Sequence, residues 1–213
     1  MGVRGIRLSL RNEDLLKTQL EALLQLDRPV PLHVMIPMVS SLDEVHAVRS
    51  MLDRLTTDDN NRAEIRLGVM IETPAAALIA NRLASIVDFF SIGTNDLTQY
   101  TLCMDRGESK LAEHLDSLHP AVLMLIKSTA DAALAADIPV AVCGGAAGDV
   151  LAAPILIGMG IRELSMPKSL IARQKAQLRR LLVEECTELA NTALNMDSAS
   201  EVRSMMREFL TNH

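Results

Sequence analysis

Short apolar runs rich in branched residues alternate along the chain with longer stretches whose apolar positions recur at helical spacing. The runs HVMIPM (His33 to Met38), LGVMIE (Leu67 to Glu72), DFFSIG (Asp88 to Gly93), PVAVCG (Pro139 to Gly144) and ELSMP (Glu163 to Pro167) read as strands. Helices are predicted between and around them. NEDLLKTQLEALLQL carries leucines at helical spacing behind Asn12 as a cap. SLDEVHAVRSMLDRL opens with Ser41 and Glu44 in the spacing of a capping box, and SASEVRSMMREFL repeats that spacing with Ser198 and Glu201. PAAALIANRLA and PAVLMLIKSTADAALAA place Pro74 and Pro120 in the first turn, where a missing N–H leaves no helical bond unmade.

Strands alternating with helices predict βαβ units and a parallel sheet. Strands apolar along their whole length fit a sheet covered on its outer face. The polar stretch TTDDNNRAE reads as a loop between a helix and a strand, not as a domain boundary. No low-complexity linker and no internal repeat divides the chain, so residues 1–213 are expected to form a single α/β unit.

Composition narrows the function classes. The net charge of −6, with acids and bases interspersed, gives no basic stripe, and one Tyr, three Phe and no Trp leave few rings for bases to stack on. Nucleic-acid binding is therefore not expected. Cys103, Cys143 and Cys186 are far apart and lack metal spacing, which fits free thiols in a reducing compartment. No apolar run approaches about 18 residues, so no membrane insertion is expected and the location expected is cytoplasmic.

The ends of the strands carry the chemistry. In parallel α/β folds the C-terminal strand ends form the site. Applied here, the rule brings together Glu72, Asn95 and Asp96, Cys143, and Ser165 to Pro167. Glu72 reads either as a carboxylate favouring a helix start or as a cation ligand. Asp96 alone reads as a turn residue; with Glu72 on an adjacent strand end it fits a site for Mg²⁺, which takes one or two carboxylates and completes its shell with water and substrate oxygens. Arg106, in MDRG, is either a loop arginine paired with Asp105 or a bidentate ligand for phosphate or carboxylate. Arg4, in GVRGIR, has the same two readings. Cys143 is either inert filler or a thiol presented to a cavity ahead of two glycines. The five histidines show no metal spacing.

GVMIETPAAA, DFFSIGTNDLTQYTLCMDRG, AVCGGAAGD and GMGIRELSM together resemble the C-terminal domain of the Enzyme I family of the bacterial phosphotransferase system, the phosphoenolpyruvate–protein phosphotransferases. The resemblance covers essentially the whole chain, and SIGTNDLTQYTL with DRG is its most specific part. It implies a (β/α)₈ TIM-type barrel, here incomplete with about five of eight parallel strands, and thus the C-terminal portion of a barrel domain. It implies that Glu72 and Asp96 hold Mg²⁺, that Asn95, Asp96, Arg4 and Arg106 bind phosphoenolpyruvate, and that Cys143 protonates the enolate carbon to give pyruvate. The phosphoryl group would pass to a histidine on a separate N-terminal domain and then to HPr. A homodimer is implied, and free edges on five of eight strands add an expectation of self-association.

The chain departs from the family in lacking the first strands and the histidine domain. It also departs at His33, where a basic residue such as arginine is usual, and at Gly145, where a glutamate is common. Two other readings therefore stand beside the first. One is a non-catalytic fragment or dimerisation module. The other is a Mg²⁺-dependent enolate lyase or aldolase, which shares the strand-end Glu/Asp pair but has no need of the Cys143 and Arg106 segments.

Overall fold

All five apolar runs join one sheet. In the computed structural model, which describes residues 2–26, 30–56 and 64–212, β1 (Leu32–Ile36), β2 (Ile65–Ile71), β3 (Phe89–Gly93), β4 (Val140–Cys143) and β5 (Glu163–Leu164) lie side by side in chain order, every pair parallel. The sheet is not closed: among the described residues β1 and β5 each pair on one side only. The fold is thus mixed α/β and resembles part of a TIM barrel, as expected. Most of the stretch 56–64 that reads as a loop lies outside the described residues, as does His213.

The helices are α1 (Ile6–Arg11), α2 (Glu13–Leu24), α3 (Leu42–Thr56), α4 (Pro74–Leu78), α5 (Ala80–Leu83), α6 (Thr94–Leu102), α7 (Pro120–Ala135), α8 (Gly145–Gly148), α9 (Ala152–Gly158), α10 (Lys168–Leu178), α11 (Val183–Ala193) and α12 (Ala199–Thr211), with a 3-10 helix at Ser109–His114. Strand alternation sorts the sheet into two faces. Leu67, Val69, Ile71, Phe90, Ile92, Val140 and Val142 are buried on the helix-covered face. The register pairs Gly68 with Phe89, Met70 with Ser91, Ser91 with Ala141 and Gly93 with Cys143, which puts these residues together on the other face. There the ring of Phe89 stacks on His33 at 5.1 Å and lies over Gly68, where a Cβ would sit 2.3 Å from it.

Several elements differ from the predicted ones for local reasons. β1 stops at Ile36 because Pro37 has no N–H and Met38 turns into the left-handed region at φ 60°. Asn12 does not cap α2 with its side chain; α1 immediately precedes it, and its Nδ2 donates back to Leu8 O at 2.8 Å. The predicted helix 74–84 is two short helices broken at Ile79 (φ −106°, ψ 16°). Glu44 does reach back as a capping residue and accepts the N–H groups of both Ser40 and Ser41. The Ser198 hydroxyl accepts from Glu201 N–H, while the Glu201 carboxylate takes Asp197 N–H.

The C-terminal helices close the structure beyond β4. α9 and α11 come so near that a Cβ on Gly158 would lie 1.9 Å from the carbonyl oxygen of Cys186, so only glycine fits there. Cys186 is buried in this contact. Burial first, and the neighbouring Glu185 next, push its thiol above the ordinary value, which leaves it neutral and inert. Among the described residues no helix is long and apolar enough to cross a membrane.

Candidate functional site

The centre of the site is Glu72, the residue after β2. Its side chain is 4% exposed, and its Oε1 accepts the N–H of Met38 at 2.7 Å. That bond is why Met38 holds a positive φ, which an isolated methionine avoids. The next residue completes the stitch: the Thr73 hydroxyl donates to Val39 O at 2.6 Å and accepts from Ala76 N–H, capping α4 ahead of Pro74. The loop after β1 and the end of β2 are therefore one unit.

Arg4 reaches this unit through Gly5. Gly5 has φ 56°, a Cβ on it would sit 2.7 Å from the Met38 Cβ, and Ile6 N–H donates to Pro37 O. Only glycine allows that approach. It leaves the exposed Arg4 guanidinium within electrostatic reach of Glu72.

β3 delivers the second carboxylate. Gly93 passes so close to Glu72 that a Cβ there would lie 2.9 Å from the Glu72 Cβ. α6 starts at once, and Asp96 stands in its first turn, facing Glu72. Burial holds the Glu72 carboxyl above the ordinary carboxylate range. The Met38 N–H acts against this, while Asp96 opposite adds to it, first by its charge and then by a hydrogen bond between the two carboxyl groups; the charge of Arg4 again opposes. Asp96 Oδ1 is buried and accepts no hydrogen bond; its nearest cation is Arg106 Nη2, an ion-pair contact at 3.5 Å. Arg106 is thus paired with Asp96, and not with Asp105, whose Oδ1 takes the N–H of Gly107.

Two facing carboxyl groups, one of them buried, are a set that a hard divalent cation can satisfy. Among the described residues no group of three or more His, Cys, Asp or Glu could hold a metal ion.

β4 supplies the third component. Cys143 is half-buried, and the Ser91 hydroxyl donates to its Sγ at 3.4 Å. The turn that follows is held by α6. Thr94, fully buried, donates to Cys143 O at 2.8 Å, and Asn95 Oδ1 accepts Gly145 N–H at 2.8 Å. Gly144 (φ 86°) allows this, since a Cβ there would meet Thr94 Oγ1 at 2.7 Å. A cleft of about 460 Å³ opens beside Cys143 toward Ser165, Met166 and Leu170. Another, of about 350 Å³, is lined by Asn95, Thr98, Arg106, Gly145 and Arg203. The Thr98 hydroxyl on its wall is buried without a partner.

The structure therefore gathers Glu72, Asp96, Asn95 and Arg106 in one place, with Arg4 electrostatically coupled to Glu72 and Cys143 joined through Thr94 and Asn95. Sequence reasoning overlooked Met38, Thr73, Ser91 and Thr94, which hold these groups. Of the four, Thr73 alone carried a readable signal, a cap residue directly before a first-turn proline.

Comparison with known proteins gives a consistent picture. The sequence model of the family described as PEP-utilising enzyme, PEP-binding domain, matches residues 1–183. The multiphosphoryl transfer protein of Rhodobacter capsulatus is 46% identical over 205 residues, covering 96% of this chain and 25% of that protein. The phosphoenolpyruvate-protein phosphotransferase of Mycoplasma pneumoniae is 40% identical over 209 residues, covering 98% of this chain and 36% of that protein. The protein of the same name from Haemophilus influenzae is 40% identical over 218 residues, covering 99% and 37%. The chain spans between a quarter and somewhat over a third of the length of these relatives. The chain belongs to the PEP-binding domain family of the PEP-utilising enzymes.

Proposed function

We propose that the chain is the phosphoenolpyruvate- and Mg²⁺-binding portion of a phosphoenolpyruvate–protein phosphotransferase. The observation that carries this reading is the buried Glu72 carboxyl facing Asp96, with the Arg106 guanidinium 3.5 Å from Asp96 Oδ1. An enolate lyase has use for the carboxylates but not for a guanidinium at their edge or a strand-end thiol. The thiol and the guanidinium both suit a substrate that loses a phosphoryl group and then needs a proton on carbon.

Each residue has a task in that reaction. Glu72 and Asp96 hold the cation, which when bound supplies positive charge for the substrate's oxygens. Arg4 and Arg106 neutralise the phosphoryl oxygens. Asn95 has its oxygen engaged by Gly145, so the group it offers a ligand is its NH₂. The C–O–P linkage breaks on the phosphorus side, the phosphoryl group bonds to a histidine nitrogen of a separate domain and continues to HPr, and the substrate is left as an enolate. Cys143 delivers its proton to the enolate carbon, giving pyruvate, and is reprotonated from solvent. The Ser91 hydroxyl, already donating to Sγ, solvates the thiolate left behind. Turnover accordingly needs that separate domain, while binding is a property of these residues. The setting is cytoplasmic.

Replacing Arg106 by Met tests the reading. A charge-assisted contact contributes about 1.5–3 kcal/mol, so affinity for phosphoenolpyruvate in Mg²⁺ should fall about 10- to 150-fold. Unchanged affinity in calorimetry rejects a role for Arg106 in binding.

We also assign the chain a homodimeric state, as its resemblance to the family implies. Light scattering at micromolar concentration should give twice the monomer mass; a monodisperse monomer contradicts this.

A further inference from the structure

Two segments that carry site residues are joined by one side chain from the far end of the sequence. Asp149 directly follows α8, whose first residue, Gly145, donates to Asn95. Asp116 lies at the end of the segment that runs from α6 through Arg106 toward α7. Arg203, on α12, places Nε and Nη2 on the two carboxylate oxygens of Asp116, with Nη2 2.8 Å from Oδ1, and sets Nη1 2.9 Å from Asp149 Oδ2. Both aspartates are also tied into their own loops. Asp116 Oδ1 accepts Leu118 N–H and Asp149 Oδ1 accepts Leu151 N–H, each at 2.9 Å. The Arg203 guanidinium lines the same cleft as Asn95, Thr98 and Arg106.

We propose that Arg203 is a positioning residue of the phosphoenolpyruvate site, holding the Arg106 segment and the Cys143–Asp149 turn at one mutual geometry; this rests on the reading of the site given above. α12 has apolar anchors besides it, because Val202 and Met206 on either side are fully buried. A planar fork with several N–H groups is what three contacts to two carboxylates demand. A lysine ammonium, a point charge on a flexible stem, does not span them.

The test compares the wild-type chain with Arg203→Met and Arg203→Lys, each with and without Arg106→Met. Phosphoenolpyruvate is titrated in Mg²⁺, and amide hydrogen exchange is followed in the same samples. Arg203→Met should weaken binding about tenfold, the lower end of what lost outer-layer hydrogen bonds do at metal sites, and Arg203→Lys should not restore it. The loss caused by Arg106→Met should shrink in the Arg203→Met background, as expected for residues acting together. Exchange should quicken at residues 105–107 and 145–149 while β2 and β3 keep their protection.

Losses that simply multiply, or unchanged exchange in both segments, overturn the proposal. Exchange that quickens everywhere assigns Arg203 to general stability and overturns it too. A wild-type chain that binds no phosphoenolpyruvate overturns the reading of the site and the role of Arg203 in it, and the exchange data then still decide whether Arg203 fixes the two segments.

Discussion

Replacing Glu72 by Gln should abolish the Mg²⁺ dependence of phosphoenolpyruvate binding and at the same time make the metal-free protein more stable at neutral pH. Both effects have one cause. The glutamine keeps an oxygen to accept the Met38 N–H, so the stitch between the β1 loop and β2 survives. What is lost is a charge that burial and the facing Asp96 disfavour. On the proposed reading, a cation held by the pair would lose one of its two protein ligands, and the substrate would lose the cation.

The sign of the stability effect follows from proton linkage. Glu72 holds its proton more tightly in the folded chain than at the ordinary value of 4.5, so folding takes up a proton as pH rises above that value. Its favourable contribution is complete below 4.5 and is lost as pH rises through the raised folded value. The variant has no such loss. Its advantage over wild type should be near zero in acid and widen toward neutrality, with Tm rising about 2–4 °C for each kcal/mol of relief. Mg²⁺ affinity of the wild type should fall as pH drops through the same interval, because the cation competes with that proton. Thermal unfolding at several pH values, with and without Mg²⁺, checks both. A variant less stable than wild type at pH 7, or one that still needs Mg²⁺ to bind, rules out Glu72 as the buried cation ligand.

Cys143→Ala should separate binding from turnover. In an enzyme carrying both this domain and the phosphohistidine domain, the variant should bind phosphoenolpyruvate as the wild type does. Its pyruvate formation should drop about 10²–10⁴-fold, the usual contribution of a positioned general acid. The structure supports the separation. Cys143 is tied to the carboxylate pair through Thr94, Asn95 and its strand partner Gly93, contacts that use its backbone and Gly145 N–H, which alanine preserves. Protonation in deuterated water of phosphoenolpyruvate carrying a stereospecific tritium at C3, read as the chirality of the methyl group of pyruvate, would show whether the remaining protonation has lost its facial preference. Turnover at the wild-type rate removes the thiol from the mechanism.

How far the sequence could be read depended on which side chains a buried face uses. β2 and β3 were legible because Leu67, Val69, Ile71, Phe90 and Ile92 are apolar and buried, and the polar residues behind them marked a strand end. α6 was not legible as a helix. Its buried stripe is Thr94, Leu97 and Thr98, and the two threonines do not register as a hydrophobic period. Asn95 and Asp96 were therefore found as a cluster, while the reason they face different partners is that a helix begins there. The positive φ of Met38 was invisible because it depends on a carboxylate 34 residues away. The Arg203 bridge was hidden likewise, since Arg203 and Asp116 are 87 residues apart and each looks like an ordinary surface charge alone.

The central claim, that two carboxylates and the neighbouring arginines form a cation-dependent site for phosphoenolpyruvate, is tested most directly by calorimetric titration of phosphoenolpyruvate into the wild-type chain with Mg²⁺ and with chelator. Saturable binding in Mg²⁺ that is lost in chelator is expected. Binding of equal strength in both conditions, or none in either, would contradict it.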